Sequence, residues 1–169
     1  MTIYFYNLYE KHGYMSNFAA YSFYADGAYL RTSEHYYQMQ KFTDPSLIRA
    51  ICNAPTPLEA AIIAHSNSNK VVEYWMQVRD KAMYAAIELK FSQNPDIRDM
   101  LKETGHQLLV ENAWDDYYWG CGLQKNGVNR LGKILMYYRD IGMYESRYFT
   151  PSRLSEVEGH ENTVLHISP

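Results

Sequence analysis

Thr32-Ser33-Glu34-His35-Tyr36-Tyr37-Gln38-Met39-Gln40-Lys41-Phe42 is where the chain changes its period. Thr32 or Ser33 can cap a helix running from here to about Phe42. Before this stretch the signals are those of strands. Tyr21 to Tyr24 and Ala28 to Arg31 flank Asp26-Gly27, a hairpin turn signature. Residues 2–7, Thr-Ile-Tyr-Phe-Tyr-Asn, are rich in strand formers. After it the signals are helical. Asp44-Pro45 reads as cap and first turn of a short helix to about Asn53. Thr56-Pro57-Leu58-Glu59 is a capping box with proline at the first helical position. A polar break over Ser66 to Lys70 precedes a long helix from about Val71 to Phe91, whose apolar residues recur at three- and four-residue steps. Asn94-Pro95 starts another helix, which Gly105 ends. Leu108 to Val110 suits a short strand, residues 112–128 a loop, and Asn129 to Ile141 a last helix stopped by Gly142. The expected fold class is mainly α (α+β): one helical domain over residues 1–142 with a small antiparallel β element near the N-terminus. Residues 143–169 read as a tail or surface strap.

The 169 residues suit one domain of the usual ~150 residues and suffice for a sizeable core. Hydrophobic residues at 47% and charged residues at 21% exclude disorder of the whole chain. The net charge of −3 supplies no global positive field for nucleic acid, so any such contact needs a local patch. Seventeen tyrosines are unusual. They suit either a Tyr-rich core or the lining of a pocket for a planar polar ligand, since each couples an apolar ring to a polar tip. Two cysteines, Cys52 and Cys121, form no disulfide framework. The start lacks a basic-then-apolar leader, and no apolar run approaches the ~20 residues that span a bilayer. The expected compartment is a reducing cytoplasm.

At about 100° per residue, seven steps fall about 20° short of two full turns. Glu34 and Lys41 therefore project from nearly one side, with Tyr37 and Gln38 between them. Such a stripe of acid, phenol, amide and amine is either a solvated helix face or a pocket wall. The neighbouring Tyr36 and Phe42 suit a wall. A second cluster, Glu111-Asn112-Ala113-Trp114-Asp115-Asp116-Tyr117-Tyr118-Trp119-Gly120-Cys121-Gly122, sets two adjacent carboxylates among aromatics and closes with glycines. Loops of that composition carry binding groups on a rigid scaffold, or else are anchored by tryptophan with aspartates capping the next turn. Asn129, at a helix start, can cap the helix and leave amide donors for an anion. Gly132 inside that helix implies a close approach by a neighbour. Gly120, Gly122 and Gly127 do not make a dinucleotide fingerprint, and there is no phosphate-binding P-loop or nucleophile elbow. The six histidines lack paired ligand spacing, so no metal and no cofactor is expected. Met83 and Met136 read as core filler.

Taken in order, these pieces resemble the NADAR (YbiA-like) family. Gly13-Tyr14-Met15-Ser16-Asn17-Phe18, Ser33-Glu34-His35-Tyr36-Tyr37-Gln38 and Lys41-Phe42 are similar to its first half. Trp75, Met83 and Lys90-Phe91 fit its central helix. Thr104-Gly105, Leu109-Val110-Glu111, Asp116, Trp119-Gly120-Cys121-Gly122, Gly127-Val128-Asn129, Leu131-Gly132 and Leu135-Met136 fit its second half. The resemblance covers about residues 4–140 and stops before the tail. It implies a mainly helical fold and an N-glycosidase. The implied substrates are phosphoribosylamino-pyrimidine intermediates of the riboflavin pathway, or ADP-ribosylated guanine.

Breaking an N-glycosidic bond develops positive charge at the anomeric carbon, which a carboxylate stabilises while another group orients water. On that chemistry Glu34 is expected as the acid/base or water-orienting carboxylate, and Asp116 as a second carboxylate facing the sugar. Trp119 and Tyr37 would stack on the base or close the pocket. Lys41 would hold a phosphate, donate to the leaving group, or attack the anomeric carbon as a desolvated amine. Asn17, Phe18, Gln38, Gly120 and Asn129 complete the expected substrate-binding set. The expected partner is a small ribosylated molecule or ADP-ribosylated guanine, with no membrane, and nucleic acid only where the substrate is a modified base within it. Two other classes compete. A non-catalytic ADP-ribose or NAD-binding module would use the same pocket without turnover. A structural protein would leave Glu34 and Lys41 as an exposed pair worth at most about 1 kcal/mol.

Overall fold

The computed structural model describes residues 1–144. The expected tail of residues 143–169 lies, beyond Tyr144, outside the described residues. Strand β1 (Thr2–Phe5) is followed by a hairpin of β2 (Phe23–Ala25) and β3 (Ala28–Leu30), antiparallel with Phe23 opposite Leu30. Asp26 and Gly27 turn it, both at positive φ. This is the antiparallel element expected near the N-terminus. A second pairing was not foreseen. β1 lies parallel to β4 (Leu108–Glu111), with Ile3 opposite Leu109 and Phe5 opposite Glu111. Parallel strands need a crossover, and here nearly all the helices form it.

Helix α1 (Ser33–Met39) is capped by the Thr32 hydroxyl, which accepts the His35 backbone N–H at 3.4 Å. It ends at Met39, short of the expected Phe42, so Lys41 lies just past the helix. The Lys41 carbonyl there accepts the Val72 N–H at 3.0 Å, tying the helix exit to the entry of the long helix. Helix α2 (Pro45–Cys52) is capped by Asp44, and α3 (Pro57–Ser66) carries the reciprocal Thr56–Glu59 capping box. Helix α4 (Trp75–Gln93) begins four residues later than its periodicity suggests. Helix α5 (Pro95–Glu103) ends before Gly105, whose φ of +55° suits glycine. Helix α6 (Arg130–Tyr137) is also shorter than expected and runs on into a π-helical turn, Tyr138–Gly142.

Two apolar clusters flank α1. One joins α4 (Met83, Ile87, Phe91) to β1, β4, α5 and α6 and includes Tyr37. The other packs the hairpin, α2 and α3 around Tyr36, Met39 and Phe42. Every residue of α1 from Ser33 to Met39 is buried. The solvated-face alternative for this helix is therefore overturned, and so is the exposed Glu34–Lys41 pair: Glu34 is only 8% exposed.

Candidate active site

The N-terminus of α1 is fixed from outside the helix. The Asn17 carbonyl accepts the Glu34 N–H at 3.2 Å, and the Asn17 side-chain oxygen accepts the Ser33 hydroxyl at 3.0 Å. The Asn17 amide nitrogen is directed at Met83 Sδ, 2.9 Å away. Asn17, expected to touch substrate, thus has its own amide engaged inside the protein, where it sets the position of Glu34. Met83, expected as filler, is its partner. Phe18 follows, half-buried, with its N–H on the Ser16 hydroxyl.

One turn along α1, Gln38 donates to Glu34 Oε1 at 2.6 Å, and its own side-chain oxygen has no partner. Burial pushes the Glu34 carboxyl up; the Gln38 hydrogen bond and the Lys41 charge pull it down, and Asp116 pushes it up again. Lys41 is half-buried, with its ammonium 5.1 Å from the Tyr37 ring centre and 5.7 Å from that of Trp75. Desolvation lowers its pKa and Glu34 raises it. The four members of the expected stripe are thus brought together, with Trp75 of α4 added.

The 112–129 loop doubles back on itself. The N–H groups of Val128, Asn129, Arg130 and Leu131 donate to the carbonyls of Tyr117, Gly120, Tyr118 and Trp119 at 2.7 to 3.2 Å. Gly120 is buried against Ala113 and the Asp116 carbonyl, so closely that a Cβ could not be added. One Asp116 oxygen accepts the N–H groups of Tyr118 (2.9 Å) and Trp119 (2.7 Å), the turn-capping role weighed for it above. That capping aims the Trp119 ring edge-on at Tyr37, with centroids 5.4 Å apart and planes at 83°. The rings continue to Trp75 on one side (5.2 Å from Tyr37) and to Tyr118 on the other (5.0 Å from Trp119).

Asn129 departs from expectation. Its backbone is left-handed (φ 54°) and its side chain does not cap α6. It bridges β4 instead, accepting the Glu111 N–H and donating to the Leu109 carbonyl, both at 2.9 Å. The first amides of α6 are taken by loop carbonyls, so the anion site suggested at this helix start is absent. Gly132 admits the close approach of the Leu109 carbonyl and the Asn129 side chain, which is the near neighbour its presence implied.

Three residues of the site, two of them quoted above among the motifs, have no role in the sequence reading. Glu111, at the end of β4, is half-buried, and its carboxyl is pushed up to about 8 by burial, then by Asp116, Glu34 and Asp115. An acid closing an otherwise apolar strand, Leu108-Leu109-Val110, was the available signal. Trp75 and Arg79 gave none locally, because only packing of α4 against α1 and the loop brings them here. The arrangement amounts to carboxyls Glu34, Asp116 and Glu111 sharing one electrostatic field with the amine of Lys41, beside a run of aromatic rings packed edge-on. It can stabilise a cationic carbon, orient water and deliver a proton.

Among the described residues, no three His, Cys, Asp or Glu side chains are arranged to hold a metal ion. No helix among them is long and apolar enough to cross a membrane. A cavity of about 500 Å³ lies elsewhere, between β1, Lys11 to Tyr14 and the end of α5, and it contains none of the candidate catalytic residues.

The NADAR domain model matches residues 4–141. A Nostoc punctiforme protein named N-glycosidase Npun_R5314 is 42% identical, over 83% of this chain and 92% of that protein. A Vibrio vulnificus protein named riboflavin biosynthesis protein VVA0006 is 35% identical over 82% of this chain, which corresponds to 38% of its own length. The solved structure of Escherichia coli YbiA is similar with a TM-score of 0.78 and 36% identity, covering 87% of this chain and 89% of that one.

Proposed function

The chain belongs to the NADAR family, and we propose that it hydrolyses the bond between ribose and the base nitrogen of a phosphoribosylamino-pyrimidine. It is an N-glycosidase, the activity that names its 42%-identical relative. The pyrimidine is favoured over ADP-ribosylated guanine by the relative named for riboflavin biosynthesis. The net charge of −3 also favours a small metabolite over a base held in nucleic acid.

The observation that carries the reading is the juxtaposition of Glu34, Asp116 and Glu111 with Lys41 beside edge-on aromatic rings. As the C1′–N bond breaks, its electron pair leaves on nitrogen and C1′ becomes cationic. Asp116 faces that carbon and stabilises it. Glu34, whose anionic form Gln38 and Lys41 favour while burial opposes it, orients the water whose oxygen joins C1′ and accepts the proton released. Glu111 holds its proton to about pH 8 and can pass it to the departing nitrogen. Trp119 and Tyr37 offer faces and edges to the base. Lys41, desolvated on aromatic rings, either donates to the leaving group or attacks C1′ itself; in the second route ring opening yields a Schiff base that water resolves. A module that only bound ADP-ribose would gain nothing from three carboxyls facing a diphosphate.

The test offers the purified protein a phosphoribosylamino-pyrimidine and an ADP-ribosylated guanine, with free base read by chromatography. Release from the pyrimidine, abolished in Lys41→Ala and Glu34→Gln, is the expected result. Release from the guanine alone reassigns the substrate. Binding of ADP-ribose with no base released from either overturns the catalytic reading.

A further inference from the structure

The aromatic run that begins at Lys41 ends at a second cation. Arg79 lies on α4 one turn after Trp75, so the two share a helix face. Its guanidinium is stacked on the Tyr118 ring with its carbon 3.4 Å from the ring centre. Tyr118 packs edge-on against Trp119, which packs edge-on against Tyr37. The charge of Arg79 also reaches the Tyr37 hydroxyl, where it opposes the effect of burial. Arg79 is thus at the site while lying outside the stripe of groups assigned to bond cleavage.

Among the described residues its charge has no carboxylate partner. Asp80, the adjacent carboxylate, is already occupied: Oδ2 takes Arg130 Nε and Nη2, both at 2.7 Å, and Oδ1 takes the Tyr118 hydroxyl at 2.6 Å. Those same bonds hold Tyr118 in the orientation on which Arg79 stacks. Arg79 Nε is buried and has no acceptor. Among the described residues no carboxylate lies within ion-pair distance of Arg79. A half-buried guanidinium with its plane clamped, its neighbouring acid engaged and a buried N–H unsatisfied is arranged to receive oxygens from a ligand.

We propose that Arg79 is the anion-binding residue of this site and takes the phosphoryl group on the substrate's ribose 5′-oxygen. The proposal rests on the N-glycosidase reading and deepens it. The chemistry follows from charge. Glu34, Asp116 and Glu111 favour a cationic carbon but repel a phosphate, so a phosphorylated sugar needs a fixed cation at some distance from them. Lys41 is coupled to Glu34 and carries the reaction. Arg79, clamped on Tyr118 beside the ring run, supplies a second cation that none of these acids occupies, and so a place for the phosphate. A planar fork suits two phosphate oxygens in a way that a single amine does not.

The experiment compares one ribosylamino-pyrimidine with and without its 5′-phosphate, in the wild type, Arg79→Gln and Arg79→Lys. The wild type prefers the phosphorylated form. In Arg79→Gln that preference, as a ratio of kcat/KM values, falls about 10- to 100-fold, the worth of a charge-assisted hydrogen bond, and the loss lies in KM. Arg79→Lys, which keeps the stem and the charge, recovers part of it. A preference unchanged in both variants overturns the proposal, as does an equal loss on both substrates, which would mark Arg79 as a prop for Tyr118. If neither substrate is cleaved by the wild type, the pyrimidine assignment fails, and calorimetry with ribose 5-phosphate against ribose still tests Arg79. Weaker binding of the phosphate in Arg79→Gln supports the assignment; equal binding removes it. ADP-ribose in the same titration distinguishes a diphosphate from a monoester.

Discussion

Lys41 and Lys90 are both stripped of water, and the two regions around them put burial to opposite ends. Lys90, on α4, is fully enclosed, donates to the Ser16 carbonyl at 2.8 Å and lies over the rings of Tyr21 and Phe91. Desolvation takes its pKa down to about 7, and among the described residues no carboxylate pairs with it. Lys41 is half-buried on Tyr37 and Trp75, and Glu34 opposes its desolvation. The first amine holds a loop: Ser16 precedes Asn17, which positions Glu34. The second lies at the candidate site, where the Glu34 charge acts on it. A depressed amine is therefore not by itself a mark of chemistry; the counter-charge and the access beside it are.

Replacing each lysine sharpens that contrast. Lys41→Ala should lower turnover at least about 100-fold, the scale seen when one preorganised charge is removed from a transition state. Its melting temperature should hardly change, because half of that side chain's environment is solvent or pocket. A melting temperature that fell with activity would make Lys41 structural and dissolve the comparison.

The acid side of the same region makes the next prediction. Glu111 keeps its proton to about pH 8, so kcat/KM should fall roughly tenfold per pH unit above that value. Glu111→Gln, unable to give up a proton, should lower activity at pH 7 and flatten this limb. A limb that survives the substitution would assign the titration to another group.

Lys90 should show itself in stability. Folding lowers its pKa to about 7 from 10.5, so between those values the unfolded chain binds the extra proton. Stability from this group must then rise with pH across that window and is least below pH 7. Lys90→Met should remove the rise, giving its best stability relative to the wild type near pH 6 and losing that advantage by pH 9. Parallel pH curves for the two proteins would show that the amine is better solvated than its enclosure indicates.

The smallest effect concerns the frame under the site. Asn129→Ala leaves the Leu109 carbonyl and Glu111 N–H without partners and puts alanine at a φ of 54°, at a cost of about 2–3 kcal/mol by denaturant unfolding. Asn129→Gly keeps the left-handed backbone and should recover the strain alone. Equal losses would mean that the bridge to β4 carries the whole effect.

Much of the site on α1 was legible because a helix repeats. Glu34, Tyr37, Gln38 and Lys41 fall on one side at a spacing any helix enforces, and Thr32, Asp44 and Thr56 mark starts through bonds made within four residues. The loop was legible in composition but not in action. Asp116 aims Trp119 through two local N–H bonds, and that much could be read. Asn129 could not, since its partners lie in β4, 18 and 20 residues away. Glu111 was visible at the head of the acidic aromatic cluster and as an acid ending an apolar strand, but nothing local gave it a role.

The sequence by itself determined which segments are helix or strand, where most of them begin, and which acid, amide and amine share a face, because those depend on neighbours a few positions apart. Tertiary structure alone decided that α1 would have no solvent face, that β1 would pair with β4, 106 positions further along (108 − 2), and that Trp75, Arg79 and Glu111 would join the site. Those outcomes depend on which surfaces exclude water together. Burial, and the pKa shifts that follow from it, come from residues distant along the chain, and no local period records them.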